Sequence, residues 1–141
     1  MSIYAVIDTN VIVSGLLTHN EDSPTSIVLD KLYKHEIKVI YNEGIISEYK
    51  DVLNRDKFNF NKDTVFVIIN HIYKYGIKVN PICTEVKFID EKDRVFYETF
   101  LAFSNKNTFL ITGNLKHFPN DYDILSPREF IYFCDKNELF N

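Results

Sequence analysis

The alternation of short apolar runs with longer segments of helical periodicity is the feature that most constrains the fold. Apolar runs predict strands at 3–7, 38–41, 77–82 and 108–112, and a fifth short strand near 122–125. The helices are predicted at 10–17, 24–34, 43–54, between a cap at Asp63 or Thr64 and Gly76, at 92–104, and from the Ser126-Pro127 pair onward. Strands that alternate with helices form parallel sheets covered on both faces, so we predict an α/β fold.

The length and composition suit one compact domain. We expect a single domain over residues 1–141, because the chain has no internal repeat, low-complexity tract or Gly/Ser linker. Hydrophobic residues make up 45% and charged residues 26%, which is ordinary for a soluble globular protein. The N-terminus lacks the pattern of a signal peptide, and no apolar run reaches membrane-spanning length. We therefore expect a cytoplasmic protein without membrane association.

The net charge of −4 argues against a broad, nonspecific nucleic-acid binder, which is usually basic. The sixteen Lys and Arg residues are scattered, without a block of five or six. An acidic balance remains compatible with a nuclease, because the acids of a metal site draw the charge negative and bound cations replace it.

Polar residues follow two of the predicted strands. Asp8 comes directly after the first strand, where Thr9 and Asn10 can orient its carboxylate, and Thr112–Asn114 follows the fourth. Ligands of open parallel sheets bind beyond the carboxyl ends of the strands, so these residues mark the expected site. The alternative for Asp8 is a helix cap, and for 112–114 an ordinary turn in which the glycine allows a sharp bend.

Two helices add carboxylates. Glu48 lies near the edge of an apolar helical stripe, and Asp93 lies in a first helical turn, three and seven residues before Phe96 and Phe100. The alternatives are a solvated glutamate and plain helix capping, and for Asp90 we prefer capping. Several carboxylates that converge need a cation, because they otherwise repel one another. Oxygen ligands without Cys or His favour Mg²⁺ or Mn²⁺, and the matching chemistry is hydrolysis of phosphodiesters.

Four motifs occur in an order that resembles the PIN-domain family, and more narrowly its branch of toxins from toxin–antitoxin systems. They read V-I-D-T-N-V, S-E-Y, D-E-K-D-R-V-F-Y-E and L-I-T-G-N-x-K-H-F-P, and together they span nearly the whole chain. The resemblance implies a three-layer α/β/α sandwich with a parallel sheet of about five strands. It also implies endoribonuclease activity, often a homodimer, and a small antitoxin that inserts a segment into the active-site groove.

The resemblance also implies roles for individual residues. Acids at the positions of Asp8, Glu48 and Asp93 bind the divalent metals and activate water, while Thr9 or Asn10, and Thr112, support the site. Many relatives carry Asp at the position of Asn114, the fourth catalytic position. Asn can ligate through its carbonyl oxygen but brings no charge. We therefore predict one tight metal, and a second that is weak or arrives with the substrate.

Four basic residues near these motifs are candidates for contacts with RNA phosphates: Lys92, Arg94, Lys116 and His117. The alternative for the last two is a solvated loop. The main alternative function is a PIN-like module that no longer cuts and binds RNA or a protein partner. A phosphoacceptor receiver would need an acid pair after the first strand and a lysine after the last, and a haloacid-type phosphatase would need Asp in place of Asn10. The chain has none of these.

Overall fold

The computed structural model describes residues 2–103 and 105–137 and contains an all-parallel, five-stranded sheet. The strands are β1 (Ile3–Ile7), β2 (Ile37–Tyr41), β3 (Ile77–Lys78), β4 (Thr108–Ile111) and β5 (Ile124–Leu125). Their order in the sheet is β3-β2-β1-β4-β5. Strands β2 and β3 lie on one side of β1, and β4 and β5 lie on the other, so the strand order reverses between β1 and β4. A crevice at such a point is the usual ligand site of open α/β sheets.

Helices form the outer layers and confirm the predicted sandwich. They are α1 (Thr9–Leu17), α2 (Pro24–Tyr33), α3 (Glu43–Leu53), α4 (Lys62–Tyr75), α5 (Arg94–Ala102) and α6 (Pro127–Lys136). In one layer α2 contacts α1 and α6, and in the other α3 contacts α4 and α5. Over residues 2–103 and 105–137, none of the helices has the length and apolar character needed to cross a membrane.

Local signals explain where most helices begin. The Ser126 side chain accepts a hydrogen bond from the Glu129 amide, and the Glu129 side chain accepts one from the Ser126 amide, as expected of a capping box before Pro127. The cap of α4 is Asn61 rather than the predicted Asp63 or Thr64, because the Asn61 side chain already accepts from the Asp63 amide at 2.7 Å. Helix α4 therefore starts slightly earlier than predicted.

The third strand is much shorter than the predicted 77–82 and ends at Lys78. The chain beyond it crosses towards α5, and Arg94 holds it there. The guanidinium donates to the carbonyls of Thr84 (3.0 Å) and Val86 (2.6 Å) and lies 5.0 Å from the centre of the Phe88 ring. Within the predicted strand itself, the Val79 carbonyl accepts from Asn42 Nδ2 at 3.2 Å and the Ile82 amide donates to the carbonyl of Glu98 at 3.3 Å, so both groups bond outside the sheet.

The predicted helix 92–104 also has different bounds. It starts with a 3₁₀ turn over Glu91–Asp93 and continues as α5 to Ala102. Its predicted end at Ser104 lies outside the described residues. A second 3₁₀ turn, Leu115–His117, follows β4.

Candidate active site

Asp8 lies at the carboxyl end of β1, beside the end of β4. The sheet register pairs Ile7 with Ile111, which sets the next residues, Asp8 and Thr112, side by side. The Asp8 side chain is buried, and its Oδ2 accepts hydrogen bonds from Thr112 Oγ1 (2.7 Å) and Asn10 Nδ2 (3.2 Å). Asp8 occupies the cap position of α1, but its side chain makes no capping bond. The carboxylate is therefore positioned by the two polar motifs and does not serve as a helix cap.

Asn10 and Thr112 tie the first and last motifs together. Asn10 Oδ1 accepts from the Gly113 amide (3.1 Å), while Thr112 Oγ1 accepts from the Asn114 amide (3.0 Å). Gly113 does not use the left-handed backbone conformation, and a Cβ placed on it would lie 3.4 Å from Asn10 Oδ1, an ordinary contact. The turn after β4 therefore does not depend on the left-handed conformation that glycine favours.

Burial dominates the electrostatics of Asp8. Removal from water raises its pKa to about 6, the hydrogen bond from Thr112 opposes this shift, and the charge of Asp93 adds to it. The charge of His117 acts in the lowering direction. Asp8 is thus electrostatically coupled to both Asp93 and His117.

Asp93 lies at the end of the 3₁₀ turn that precedes α5, and its side chain is 13% exposed. It makes no side-chain capping bond, whereas Asp90 does cap this turn, as predicted, by accepting from the Lys92 amide at 3.0 Å. Asp93 Oδ2 lies 3.1 Å from Nδ1 of His117. Burial raises the pKa of Asp93 above its ordinary value, and the hydrogen bond with His117 opposes part of that rise. Asp93 therefore faces the site, and Asp90 does not.

Glu48 lies on α3, a different element from those that carry Asp8, Asp93 and His117. It is half-buried on α3, has no hydrogen bond or ion pair to any described residue, and is not among the charges that shift Asp8. Its helix face does turn towards α5. Gly44 lies one turn earlier on the same face, and a Cβ added to it would be 3.1 Å from Cγ2 of Val95 on α5. In residues 2–103 and 105–137, no three His, Cys, Asp or Glu side chains are grouped closely enough to hold a metal ion. Asp93 contacts His117, and the charges of both act on the Asp8 carboxyl, while the role of Glu48 stays a prediction.

The remaining predicted residues lie around the site in different roles. Asn114 is exposed, and its side chain bonds to no described residue. Lys92 and Lys116 are exposed and unpaired in the described part of the chain. A hollow of about 340 Å³, lined by residues 113–117 and Ser126, adjoins the site. The bonds of Arg94 to the segment after β3 favour a structural role, so its contact with RNA stays a prediction.

Two supporting residues were missed from the sequence. Tyr49 donates a short hydrogen bond to the carbonyl of Ile7, and burial together with the Asp8 charge raises its pKa. Asn42 follows β2, as Asp8 follows β1, and donates to Thr99 Oγ1 at 2.6 Å. The recurrence of a polar residue after a strand was a usable signal for Asn42. Tyr49 was indistinguishable from a core aromatic.

The donor set fits a hard divalent cation. Asp8 and Asp93 offer carboxylate oxygens, and neither pairs with a lysine or arginine within residues 2–103 and 105–137. Thr9 Oγ1, next to Asp8, is buried and has no hydrogen-bond partner among the described residues. Buried carboxylates and an unpartnered hydroxyl are oxygen ligands of the kind that Mg²⁺ and Mn²⁺ accept.

Comparison with known proteins identifies the family. The family model described as the PIN domain matches residues 4–116, from β1 into the 3₁₀ turn after β4. The match includes the four predicted catalytic positions at 8, 48, 93 and 114. No curated protein and no solved structure matches the chain. The parallel sheet, the residues gathered at its carboxyl edge and this match agree: the chain belongs to the PIN-domain family, whose members are typically nucleases that use divalent metal ions.

Proposed function

We propose that this chain is a metal-dependent endoribonuclease that hydrolyses RNA phosphodiester bonds. The observation that carries the proposal is the state of Asp8: a buried carboxylate, held by Thr112 and Asn10, coupled to Asp93 and unneutralised by any described lysine or arginine. A carboxylate in that state is costly unless a cation accompanies it. It lies where the strand order reverses, the usual place for a ligand in this fold.

Asp8 and Asp93 are the residues that would hold Mg²⁺ or Mn²⁺, with Glu48 and Asn114 as the further members of the proposed set. When bound, the metal polarises the phosphoryl oxygens and makes hydroxide accessible near neutral pH. Thr112 and Asn10 fix the orientation of the Asp8 carboxylate, and Tyr49 anchors the strand end that carries it. Because Asn114 is neutral, we propose one tight metal and a second that is weak or arrives with RNA.

Lys92 and Lys116 are proposed to contact RNA phosphates on either side of the carboxylates. Both side chains are exposed and make no ion pair with a described residue. His117 lines the same hollow as Lys116 and also contacts Asp93. The hollow beside the site gives the RNA strand a path towards Ser126.

We further propose that the protein is the toxin of a toxin–antitoxin pair, located in the cytoplasm, with a small antitoxin as partner and a homodimer as its assembly. The support is the order of the four sequence motifs. Induced expression should arrest growth, and expression of Asp8→Asn should not. Equal growth of the two cultures would contradict the toxin role.

The decisive experiment is cleavage of a mixed, structured RNA pool with Mg²⁺, with Mn²⁺ and with EDTA. We expect metal-dependent cleavage that falls by at least about 100-fold in Asp8→Asn and in Asp93→Asn, because each removes a charged ligand. Asp51→Asn is the matched control, because Asp51 is exposed and its ion pair within residues 2–103 and 105–137 is with Arg55. A ligand variant that cuts as well as the parent chain would refute the ligand assignment.

The same experiment distinguishes the proposed nuclease from the main alternative, a module that binds but does not cut. Folded protein that cuts under no condition but still binds RNA or a protein would be a PIN-like binding module. The neutral Asn114 and the net charge of −4 are the features that favour this alternative. Asn114→Asp would then be the first variant to test for restored cleavage.

A further inference from the structure

Within residues 2–103 and 105–137, His117 is the hydrogen-bond partner of the Asp93 side chain. Its Nδ1 lies 3.1 Å from Asp93 Oδ2, and its charge acts on the carboxyls of both Asp93 and Asp8. The imidazole is 36% exposed, so it borders the open side of the site. A nitrogen donor therefore stands beside carboxylates that the sequence indicated as an all-oxygen metal site.

The backbone after β4 explains this placement. The 3₁₀ turn over Leu115–His117 starts after Asn114, whose carbonyl accepts the His117 amide at 2.9 Å. The turn brings the imidazole to Asp93 and leaves the Asn114 side chain exposed, without a bond to any described residue. From the β4 side of the site, the group that reaches Asp93 is therefore the imidazole of His117.

We infer that His117 is a metal ligand alongside Asp93, and that the site takes a first-row transition cation such as Mn²⁺ in preference to Mg²⁺. Imidazole nitrogen suits transition metals, whereas Mg²⁺ takes oxygen ligands and dehydrates reluctantly. Two protein ligands leave room for water and for an oxygen of the nearby Asp8. This inference rests on the proposed function, because it specifies the metal of the same site.

Pulsed EPR of Mn²⁺ bound to the full chain tests the inference without using activity. A coordinated imidazole couples its ¹⁴N nucleus to the manganese spin, and a histidine that only holds Asp93 in place does not. We expect nitrogen coupling in the parent chain and its loss in His117→Asn, which keeps an amide where Nδ1 was. His19→Asn is the matched control, because His19 is exposed in the loop after α1.

Affinities add a second readout. In His117→Asn we expect Mn²⁺ binding to weaken by about tenfold or more, and Mg²⁺ binding to change by less than about threefold. Mn²⁺ binding is measured from the loss of the EPR signal of free Mn²⁺ as protein is added. Mg²⁺ binding is measured from the return of that signal as Mg²⁺ competes for the site.

The outcomes separate the inference from the proposed function. Bound Mn²⁺ without nitrogen coupling, in protein that still cleaves RNA, would overturn the role of His117 and leave the nuclease intact. Coupling that persists in His117→Asn would also overturn it. A chain that binds neither metal and cuts no RNA would refute the proposed function itself, and this inference with it.

Discussion

Asp8 loses most of its hydration on folding, and its two hydrogen bonds restore only part of that loss. Its folded pKa of about 6 lies above the ordinary value of 3.8, so ionisation is less favourable in the folded state than in the unfolded state. The contribution of this group to stability is fully present below pH 3.8 and is lost as the pH rises through 6. At neutral pH the metal-free protein thus carries a charge that opposes folding, as functional sites commonly do.

Asp8→Asn should therefore stabilise the metal-free protein at neutral pH by roughly 1 to 3 kcal/mol, because it removes the buried charge. The amide oxygen can still accept from Thr112, although the hydrogen bond from Asn10 is weakened. Urea unfolding in EDTA at pH 7.5 and at pH 4.5 measures the effect, and the gain should shrink at the lower pH. Exposed Asp51→Asn should change stability by less than about 0.5 kcal/mol. A destabilised Asp8→Asn at neutral pH would show that the hydrogen bonds outweigh the desolvation of the charge.

Among the elements, α4 and β3 meet at a point where only a glycine fits. A Cβ on Gly76 would lie 2.5 Å from the carbonyl oxygen of Ile72 and 2.7 Å from that of Val39. Both atoms are backbone, so the helix end or the β2 strand would have to shift. The requirement comes from this close approach, since no described glycine has a positive φ.

Gly76→Ala should accordingly lower the free energy of unfolding by roughly 2 kcal/mol or more, because it forces strain into packed backbone. Gly113→Ala is the matched comparison, and it should cost less than about 1 kcal/mol because the added Cβ makes an ordinary contact. Urea titration of the two variants beside the parent chain measures both effects. Equal losses would mean that the turn after β4 is as constrained as the end of α4.

At the scale of the whole molecule, a net charge of −4 limits how strongly the protein binds RNA through phosphates. The two lysines proposed to contact phosphates, Lys92 and Lys116, are both exposed. Each phosphate contact with a single strand contributes about −0.7 to the slope of log K against log salt concentration. Two contacts would therefore give a shallow salt dependence, and most recognition would have to come from the metal site and from contacts with bases.

Binding of single-stranded RNA to the Asp8→Asn protein should show a slope of log K against log salt concentration of about −1.4, because Lys92 and Lys116 are proposed to contact one phosphate each. Lys116→Gln should reduce the magnitude of the slope by about 0.7. Lys106→Gln is the control. Lys106 is exposed and lies just before the amino end of β4, whereas the site lies at the carboxyl ends of the strands. Fluorescence anisotropy over a range of KCl concentrations gives the slopes. A slope steeper than about −3, or one that Lys116→Gln leaves unchanged, would contradict this account of the binding surface.

Local patterns were sufficient for the layered fold. The periods of apolar residues distinguish strands from helices, and Ser126 with Pro127 marks a helix start through bonds made within four residues. Asp8 and Thr112 could be placed at one sheet edge because parallel strands present their carboxyl ends together. These predictions depend on short-range backbone preferences, which a sequence displays directly.

Contacts between distant segments decided the rest. The chain after β3 bonds to distant residues instead of extending the strand, because Val79 accepts from the Asn42 side chain and Ile82 donates to the carbonyl of Glu98 on α5. The approach of His117 to Asp93 depends on how the 3₁₀ turn after β4 packs onto the sheet. Sequence spacing carries no information about such distances, because burial, desolvation and hydrogen bonding between separate elements arise only when the chain packs.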